Sequence, residues 1–241
     1  MKNKIWNWTA YLWDCLQVMD LLIQEWVKVD AIITDPPYNI DIVWKWWWDT
    51  IENYQDYMLN FYNKCRLLTN NIIIFFDYSY TLLFEQLDTP FERFIWHREW
   101  GFRWVKIKKW YEPFYWYWDW SKYNRITELN HNAKTDKRLK EYRTVSNVWN
   151  IPNLVWRKKE SVWHPTQKPL KLINRIVEMV SDEWDVILDP FAWSFTTAVA
   201  CENLNRQWIW IEKDETYFNI WLERINKLWI ENATIVKQNN Q

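Results

Sequence analysis

The sequence predicts an α/β fold built on a mostly parallel sheet that helices cover on both faces. Apolar runs rich in β-branched residues have the length of strands and recur along the chain at residues 29–33, 72–76, 185–189 and 208–212. Segments with the spacing of amphipathic helices alternate with them, at 14–23, 53–68, 170–180, 198–204 and 214–230. The continuous apolar character of the runs is typical of strands that are buried on both faces.

Length and residue usage narrow the class of protein. The 241 residues suffice for one large α/β domain. No run of 18 apolar residues occurs, so we expect no membrane span, and the first residues have no apolar signal-peptide core. The three cysteines are scattered, at 15, 65 and 201, without a Cys-x-x-Cys pair. We therefore expect a cytoplasmic protein with reduced cysteines, without disulfides and without a metal site.

One glycine and 24 tryptophans make the residue usage abnormal. Average usage of about 7% glycine would give roughly 17 in a chain of this length. Several tryptophans stand where a turn is expected, such as Trp46, Trp184 and Trp193, and tryptophan cannot replace glycine at positive φ. We hypothesise that most of these positions are glycine in the natural protein, through a stop codon that the source organism reads as glycine. Trp149 is the first candidate for a genuine tryptophan.

The net charge of −1 hides a basic central block. Residues 1–97 carry 7 Lys/Arg and 13 Asp/Glu, residues 98–175 carry 18 and 7, and residues 176–241 carry 5 and 11. Aromatic residues are interleaved with the basic ones of this block. Since basic side chains neutralise phosphates and aromatic rings stack on bases, we interpret residues 98–163 as an inserted basic region that recognises a nucleic-acid target. A solvated basic face is the alternative.

The turn after the first apolar run has the residues of a binding site. Asp35, Pro36, Pro37 and Tyr38 follow residues 29–33. The prolines stiffen the turn, so that the Asp35 carboxylate and the Pro36 carbonyl can form two fixed acceptors at the carboxyl edge of the sheet. With the ring of Tyr38 beside them, they suit a flipped base that carries an exocyclic amino group. An ordinary Asp-Pro-Pro turn is the alternative.

Two later strands also end at a carboxylate. Asp189 ends the third run and precedes the loop 191–197, which with glycine at residue 193 would let a ligand approach the amides of the next helix. Glu212 ends the fourth run, where an acidic residue typically accepts hydrogen bonds from ribose hydroxyls. Asp14 is either a helix cap or a cofactor contact. Lys168, just before a helix, either meets a carboxylate or is solvated.

Four motifs in this order carry a resemblance to a known family. They are Asp-Pro-Pro-Tyr at 35–38, His-Pro-Thr-Gln-Lys-Pro at 164–169, Asp-Pro-Phe-Ala-Trp-Ser at 189–194 and Trp-Ile-Trp-Ile-Glu at 208–212. The chain resembles the amino-group DNA methyltransferases, most closely the β class acting on adenine N6, in which the catalytic motif precedes the cofactor motif. Over residues 10–229 this implies the Rossmann-like sandwich of S-adenosylmethionine-dependent methyltransferases with a circularly permuted motif order. It implies a single catalytic domain, residues 1–241, that contains the recognition region 98–163.

The resemblance also implies a role for each matched residue. Asp35 and the Pro36 carbonyl would hold the target amino group in a motif completed by Pro37, and Tyr38 would stack on the flipped base. Residues implied to surround S-adenosylmethionine are Asp14, Lys168, Asp189, Phe191, Ala192, Trp193, Ser194, Thr196, Thr197 and Glu212. Trp193 and Phe195 replace two glycines of the family loop. The miscoding hypothesis accounts for Trp193 but not for Phe195, whose ring we expect to crowd the cofactor.

The implied activity is methyl transfer from S-adenosylmethionine to adenine N6 in double-stranded DNA, without a metal or a covalent intermediate. A homodimer and a cognate restriction nuclease are further partners that the resemblance implies, and a membrane is not. Cytosine-N4 methylation is an alternative, although Asp35 rather than a serine before Pro36 favours adenine. A DNA-binding relative with impaired catalysis is a second alternative, and a soluble α/β interaction module is a third.

Overall fold

The computed structural model describes residues 8–40, 51–98, 111–118, 127–129, 142–144, 146–154, 167–219, 222 and 234–237. Some predictions fall outside these ranges. They concern the tryptophan-rich loop around residues 44–48, residues 164–166 of the histidine-proline motif, and most basic side chains between 98 and 163.

Eleven strands are present in the described ranges. They are β1 (Trp8–Leu12), β2 (Ala31–Thr34), β3 (Ile72–Phe75), β4 (Glu92–His97), β5 (Tyr111–Tyr117), β6 (Thr127–Leu129), β7 (Tyr142–Thr144), β8 (Val148–Asn150), β9 (Val186–Asp189), β10 (Gln207–Glu212) and β11 (Thr234–Lys237). The α-helices are α1 (Cys15–Gln24), α2 (Tyr54–Leu68), α3 (Thr81–Leu87), α4 (Leu170–Val180) and α5 (Thr196–Asn203). Residues 215–219 and 222 are also helical, within the predicted closing helix.

Nine of the described strands form one sheet in the order β11-β1-β10-β9-β2-β3-β5-β4-β8. The pairs that β5 makes with β3 and β4 are antiparallel, and the other pairs in this sheet are parallel. The prediction of a mostly parallel α/β sheet is therefore confirmed. Strands β6 and β7 form a separate antiparallel pair.

Helices cover both faces of the sheet, as the apolar strands predict. Successive residues of a strand point to opposite faces. Ile32 accordingly packs in a core cluster with α1, α2 and α3, whereas Ile33 packs in a second cluster with α4 and α5. The side chains of all four residues of β2 and of β3 are buried, which explains why neither strand alternates between apolar and polar residues.

Strand β5 departs from the sequence-based interpretation of residues 98–163. Its aromatic residues were assigned to base stacking, but Phe114, Tyr115 and Tyr117 are at most 5% exposed. They form the sheet core because β5 lies between β3 and β4. The strand was not predicted because it contains Pro113 and is flanked by basic residues, which are atypical of a central strand. Strand β8, at the sheet edge, also comes from this segment, so only part of 98–163 lies outside the sheet.

Strands β1 and β11 were not predicted from the sequence. They pair with each other and extend the parallel sheet beside β10. Among the described helices none is both long and apolar enough to cross a membrane. Cys15, Cys65 and Cys201 are buried free thiols.

Candidate active site

The three predicted carboxylates lie at one edge of the sheet. Strands β2, β9 and β10 are adjacent and parallel, with Ile32 opposite Leu188 and Trp210 opposite Asp189. Asp35 directly follows β2, Asp189 ends β9 and Glu212 ends β10, so all three sit where parallel strands present their carboxyl ends. Asp35 and Asp189 line the same cleft, which also includes Lys168 and residues 191–194, 196 and 197.

Asp35 is a partly buried carboxylate with only one of its two oxygens hydrogen-bonded. Its Oδ2 atom accepts from the ammonium of Lys168, while its Oδ1 atom is buried without a hydrogen-bond partner in the described part of the chain. Burial raises the pKa of Asp35, the Lys168 ammonium opposes this shift, and the nearby carboxylate of Glu112 adds to it. Because an unpaired buried acceptor is costly, Oδ1 is placed for a donor that arrives from outside.

Lys168 is held by protein carboxylates. Its Nζ atom pairs with Asp35 and lies 2.9 Å from Oε1 of Glu112 and 3.2 Å from the hydroxyl oxygen of Tyr38. Burial alone would lower the pKa of Lys168, but Asp35 and Glu112 raise it above its usual value. The resemblance implied that Lys168 is one of the residues surrounding the cofactor. In the structure Lys168 lines the cofactor cleft, and the acids nearest to it are Asp35 and Glu112.

Glu112, which the sequence reasoning missed, completes this cluster. The hydroxyl of Tyr38 donates to Glu112 Oε1 at 2.6 Å, and the guanidinium of Arg98 lies 3.4 Å from Oε2. Burial opposes ionisation, but Lys168 and Arg98 hold the pKa of Glu112 below its usual value. The signal in the sequence was a lone acidic residue within the aromatic run Tyr111–Tyr117. A carboxylate inside a buried strand requires a cationic partner.

The Asp-Pro-Pro-Tyr turn is fixed from several sides. The hydroxyl of Tyr54 donates to the carbonyl oxygen of Pro37 at 2.9 Å. Pro36 and Pro37 are buried, and Tyr38 is half-buried with its hydroxyl bound to Glu112. Tyr54 of helix α2, Glu112 of strand β5 and Lys168 thus hold one rigid turn.

The loop between β9 and α5 contains the remaining predicted residues. The amide of Phe191 donates to Asp189 Oδ1 at 3.2 Å, and burial raises the pKa of Asp189 to about 7. The amide of Ala192 donates to the carbonyl of Ile211 at 3.1 Å, which ties the loop to β10. Ser194 and Thr196 share a 3.0 Å hydrogen bond between their hydroxyls at the start of α5. Thr197 is buried beside them and lines the cleft.

Glu212 and Asp14 bind backbone amides. Glu212 accepts from the amide of Trp193 at 3.1 Å and from that of Asp214 at 2.7 Å, and burial raises its pKa to about 7. Asp14 accepts from the amides of Leu16 and Gln17, so its predicted role as the N-cap of α1 is confirmed. The amide of Trp13 donates to the carbonyl of Glu212 at 3.0 Å, which brings Asp14 to the same edge of the sheet.

Phe195 does not crowd the cleft. Its side chain is 1% exposed and packs edge-on against Trp208 and Trp210, with ring centroids 5.4 and 4.5 Å away. The expectation that this ring obstructs a cofactor is wrong because the ring turns into the core beneath the loop. Phe195 has a φ of 64°, as a glycine of the family loop could adopt, and nothing in the structure explains why phenylalanine stands there.

The residues of the cleft fit S-adenosylmethionine except at position 193. Carboxylates at the strand ends suit hydroxyl and ammonium groups, and the start of α5 offers backbone amides. Among the described residues no cluster suits a metal ion. The indole of Trp193, however, crosses from its loop to donate a 2.7 Å hydrogen bond to the carbonyl oxygen of Asp35. The ring therefore occupies the space between the ends of β9 and β2.

Comparison with known proteins agrees with this geometry. The N6_N4_Mtase family model, described as DNA methylase, matches residues 29–223. The type II methyltransferase M.HpaI of Haemophilus parainfluenzae is 29% identical over 232 residues, covering 83% of this chain and 68% of M.HpaI. The DNA adenine methyltransferase YhdJ of Escherichia coli is 40% identical over 80 residues, covering 33% of this chain but only 27% of YhdJ.

A solved structure shows the same fold. The M1.HpyAVI–SAM complex superposes with a TM-score of 0.69 at 24% identity, over 90% of this chain and 98% of that one. The prediction of the Rossmann-like methyltransferase sandwich is confirmed by this likeness. Because the family model spans most of the sequence, including all three carboxylate strand ends, the chain belongs to the N6_N4_Mtase family of DNA methylases.

Proposed function

We propose that this protein transfers a methyl group from S-adenosylmethionine to the exocyclic N6 atom of an adenine flipped out of double-stranded DNA. The observation that carries the proposal is the unpaired, buried Oδ1 atom of Asp35 at the carboxyl edge of the sheet. An exocyclic amino group can supply the donor that this oxygen lacks. Membership in the DNA methylase family supports DNA as the substrate, and the presence of Asp rather than Ser before Pro36 supports the choice of adenine.

The chemistry assigned to Asp35 follows from the nature of the target nitrogen. The lone pair of an adenine amino group is delocalised into the ring, which makes the nitrogen a poor nucleophile. Acceptors fixed on its two N–H bonds, the Asp35 carboxylate and the Pro36 carbonyl, favour a pyramidal nitrogen and stabilise the positive charge that develops on it. When bound, S-adenosylmethionine supplies an electrophilic methyl group.

Lys168 and Glu112 are assigned positioning roles. An isolated buried carboxylate would take up a proton, and a protonated Asp35 would lose acceptor strength. The Lys168 ammonium counteracts this and fixes Oδ2, which leaves Oδ1 to face the substrate. Glu112 in turn orients Lys168 and the hydroxyl of Tyr38, whose ring is the proposed stacking face for the base.

Cofactor contacts are assigned to the neighbouring strand ends. Asp189, Ser194, Thr196 and Thr197 would surround the amino-acid part of the cofactor at the start of α5. Glu212 would receive the ribose hydroxyls, and Asp14 would lie near the adenine ring. Phe191 and Ala192 contribute apolar surface; the Phe191 ring packs on Phe61 with ring centroids 5.2 Å apart.

Double-stranded DNA is the proposed partner, and its target sequence would be recognised by the parts of residues 98–163 that lie outside the sheet. We therefore propose one catalytic domain that includes the recognition region. Because a DNA substrate and a role in restriction and modification require access to the cell's DNA, we propose a cytoplasmic location. A homodimer and a cognate nuclease stay predictions.

Nucleoside analysis tests the proposal. The chain and its Trp193→Gly variant are incubated with mixed-sequence double-stranded DNA and methyl-labelled S-adenosylmethionine, and the DNA is digested to nucleosides. Label in N6-methyladenine is expected with the Trp193→Gly variant. Label in N4-methylcytosine would show that the target base is cytosine and not adenine. Absence of label from both proteins would overturn the proposal. Asp77 is a buried carboxylate that lies outside the cleft and caps residues 78–80, so Asp77→Asn in the Trp193→Gly background is expected to leave the labelling unchanged.

A further inference from the structure

Three tryptophans of the described part of the chain have a left-handed backbone. Trp26, Trp184 and Trp193 have φ values of 57°, 70° and 35°. A left-handed conformation brings a Cβ atom close to the following carbonyl oxygen and is unfavourable for this reason, whereas glycine takes it up without this cost. Three asparagines and Phe195 are the other non-glycine residues with positive φ in those ranges. Asparagine tolerates this conformation, whereas tryptophan has no feature that favours it.

Trp26 ends α1 in a hydrogen-bond pattern that glycine normally serves. The amide of Val27 donates to the carbonyl of Leu22 at 2.9 Å, and the amide of Trp26 donates to that of Ile23 at 3.0 Å. Together these two bonds are the Schellman motif, whose left-handed residue is usually glycine. The Trp26 side chain is 87% exposed, so its ring gains nothing from packing.

Trp184 occupies the left-handed position of a turn, which is also a position that favours glycine. The amide of Asp185 donates to the carbonyl of Asp182 at 3.2 Å, which closes a four-residue turn with Trp184 in its third position. Positive φ at the third position alone is the pattern of a type II turn, which requires glycine or asparagine there. The ring is again largely exposed, at 66%.

Trp193 combines the same backbone conformation with a position inside the cleft. Its ring stacks at 19° on Phe191, with centroids 6.4 Å apart, and its Nε1 atom binds the Asp35 carbonyl. On the proposed function, the space between the ends of β9 and β2 must hold the methyl group and the target nitrogen together. The indole ring and these groups cannot occupy that space at once.

We propose that residue 193 is glycine in the functional form of this protein, as are residues 26 and 184, and that the indole of Trp193 closes the cofactor cleft of this chain. The inference rests on the proposed function for the identity of the cofactor. The assignment of glycine itself rests on backbone geometry at three separate turns and on the single glycine of the sequence.

Peptide mass spectrometry of the protein purified from the cells that encode it tests the assignment directly. Proteolytic peptides that contain residues 26, 184 and 193 are expected to have the masses for glycine. Masses for tryptophan at these positions would overturn the proposal whatever the enzyme does. Trp149, which is buried and whose indole nitrogen donates to the carbonyl of Ser146 at 2.5 Å, is expected to remain tryptophan.

Calorimetric titration with S-adenosylmethionine tests the closed cleft without relying on activity. The chain with Trp193 is expected to show at least 100-fold weaker binding than the Trp193→Gly variant, while Trp184→Gly, far from the cleft, leaves binding unchanged. Equal affinity with and without the indole would overturn the closure of the cleft. Glycine masses together with no binding by Trp193→Gly would instead overturn both the closed cofactor cleft and the cofactor of the proposed function.

Discussion

The Oε1 atom of Glu112 lies 2.9 Å from the Nζ atom of Lys168, and both side chains are at most 8% exposed. This pair comes from β5 and from the residue before the N-cap of α4. It joins the antiparallel part of the sheet to the turn that carries Asp35. The candidate catalytic carboxylate is thus oriented by a buried ion pair that no single motif of the sequence contains.

Replacement of Glu112 by glutamine should destabilise the fold strongly. The substitution leaves the cations of Lys168 and Arg98 buried with one carboxylate fewer, and breaking a buried pair costs about 3–5 kcal/mol. Urea unfolding measures the loss. Glu85→Gln, in the exposed pair with Arg93, is the control and should cost no more than about 1 kcal/mol. Equal losses for the two variants would contradict the structural role of Glu112.

Asp35→Asn should separate chemistry from cofactor binding. In the Trp193→Gly background we expect methyl transfer to fall at least ~100-fold. The neutral amide lacks the negative charge that stabilises the developing positive charge, and the Lys168 ammonium holds its oxygen, which turns its NH₂ group toward the target nitrogen. Affinity for S-adenosylmethionine should change by less than about threefold, since Asp35 makes none of the proposed cofactor contacts. Rapid-quench kinetics and calorimetry give the two quantities. Unchanged transfer would remove Asp35 from its proposed role.

Much of the fold was predicted correctly from local patterns in the sequence. The apolar runs ending at Asp35, Asp189 and Glu212 are buried parallel strands, and strand order brings their ends together as expected. Asp14 caps α1 because capping depends on neighbours along the chain. These predictions succeeded because each depends on a period or a motif within about twenty residues.

What the sequence did not reveal depends on contacts between distant residues. Strand β5 is antiparallel and contains Pro113, so neither its partners nor its burial follow from local pattern. Glu112 acquires its role only when Lys168, 56 positions away in the sequence, is folded against it. The orientation of Phe195 toward Trp208 and Trp210 likewise depends on how the loop packs on β10.

Stability should depend on pH through Asp189. Its pKa is raised from 3.8 to about 7 by burial, so between these values the folded state binds a proton that the unfolded chain has lost. The free energy of unfolding should therefore fall as pH rises from about 4 to about 7, by up to about 1.4 kcal/mol per pH unit from this group.

Asp189→Asn should remove that contribution, which urea unfolding at pH 4.5, 5.5 and 6.5 measures. Glu85→Gln is the control, because the Arg93 guanidinium lowers the pKa of Glu85, so any contribution of this carboxyl to the slope has the opposite sign. A slope that is the same in the parent and in Asp189→Asn would show that the carboxyl is ionised throughout.

Trp26→Gly should stabilise the fold. Residue 26 has a φ of 57° in the Schellman motif at the end of α1, where glycine avoids the strain of the Cβ atom. We expect the free energy of unfolding in urea to rise by about 1 kcal/mol, because the exposed ring contributes no packing that the variant would lose. Trp26→Ala is the matched control, since it removes the ring but keeps the Cβ atom and should recover little of this gain. Equal stabilisation by alanine would assign the effect to the exposed ring and would contradict an origin in backbone strain.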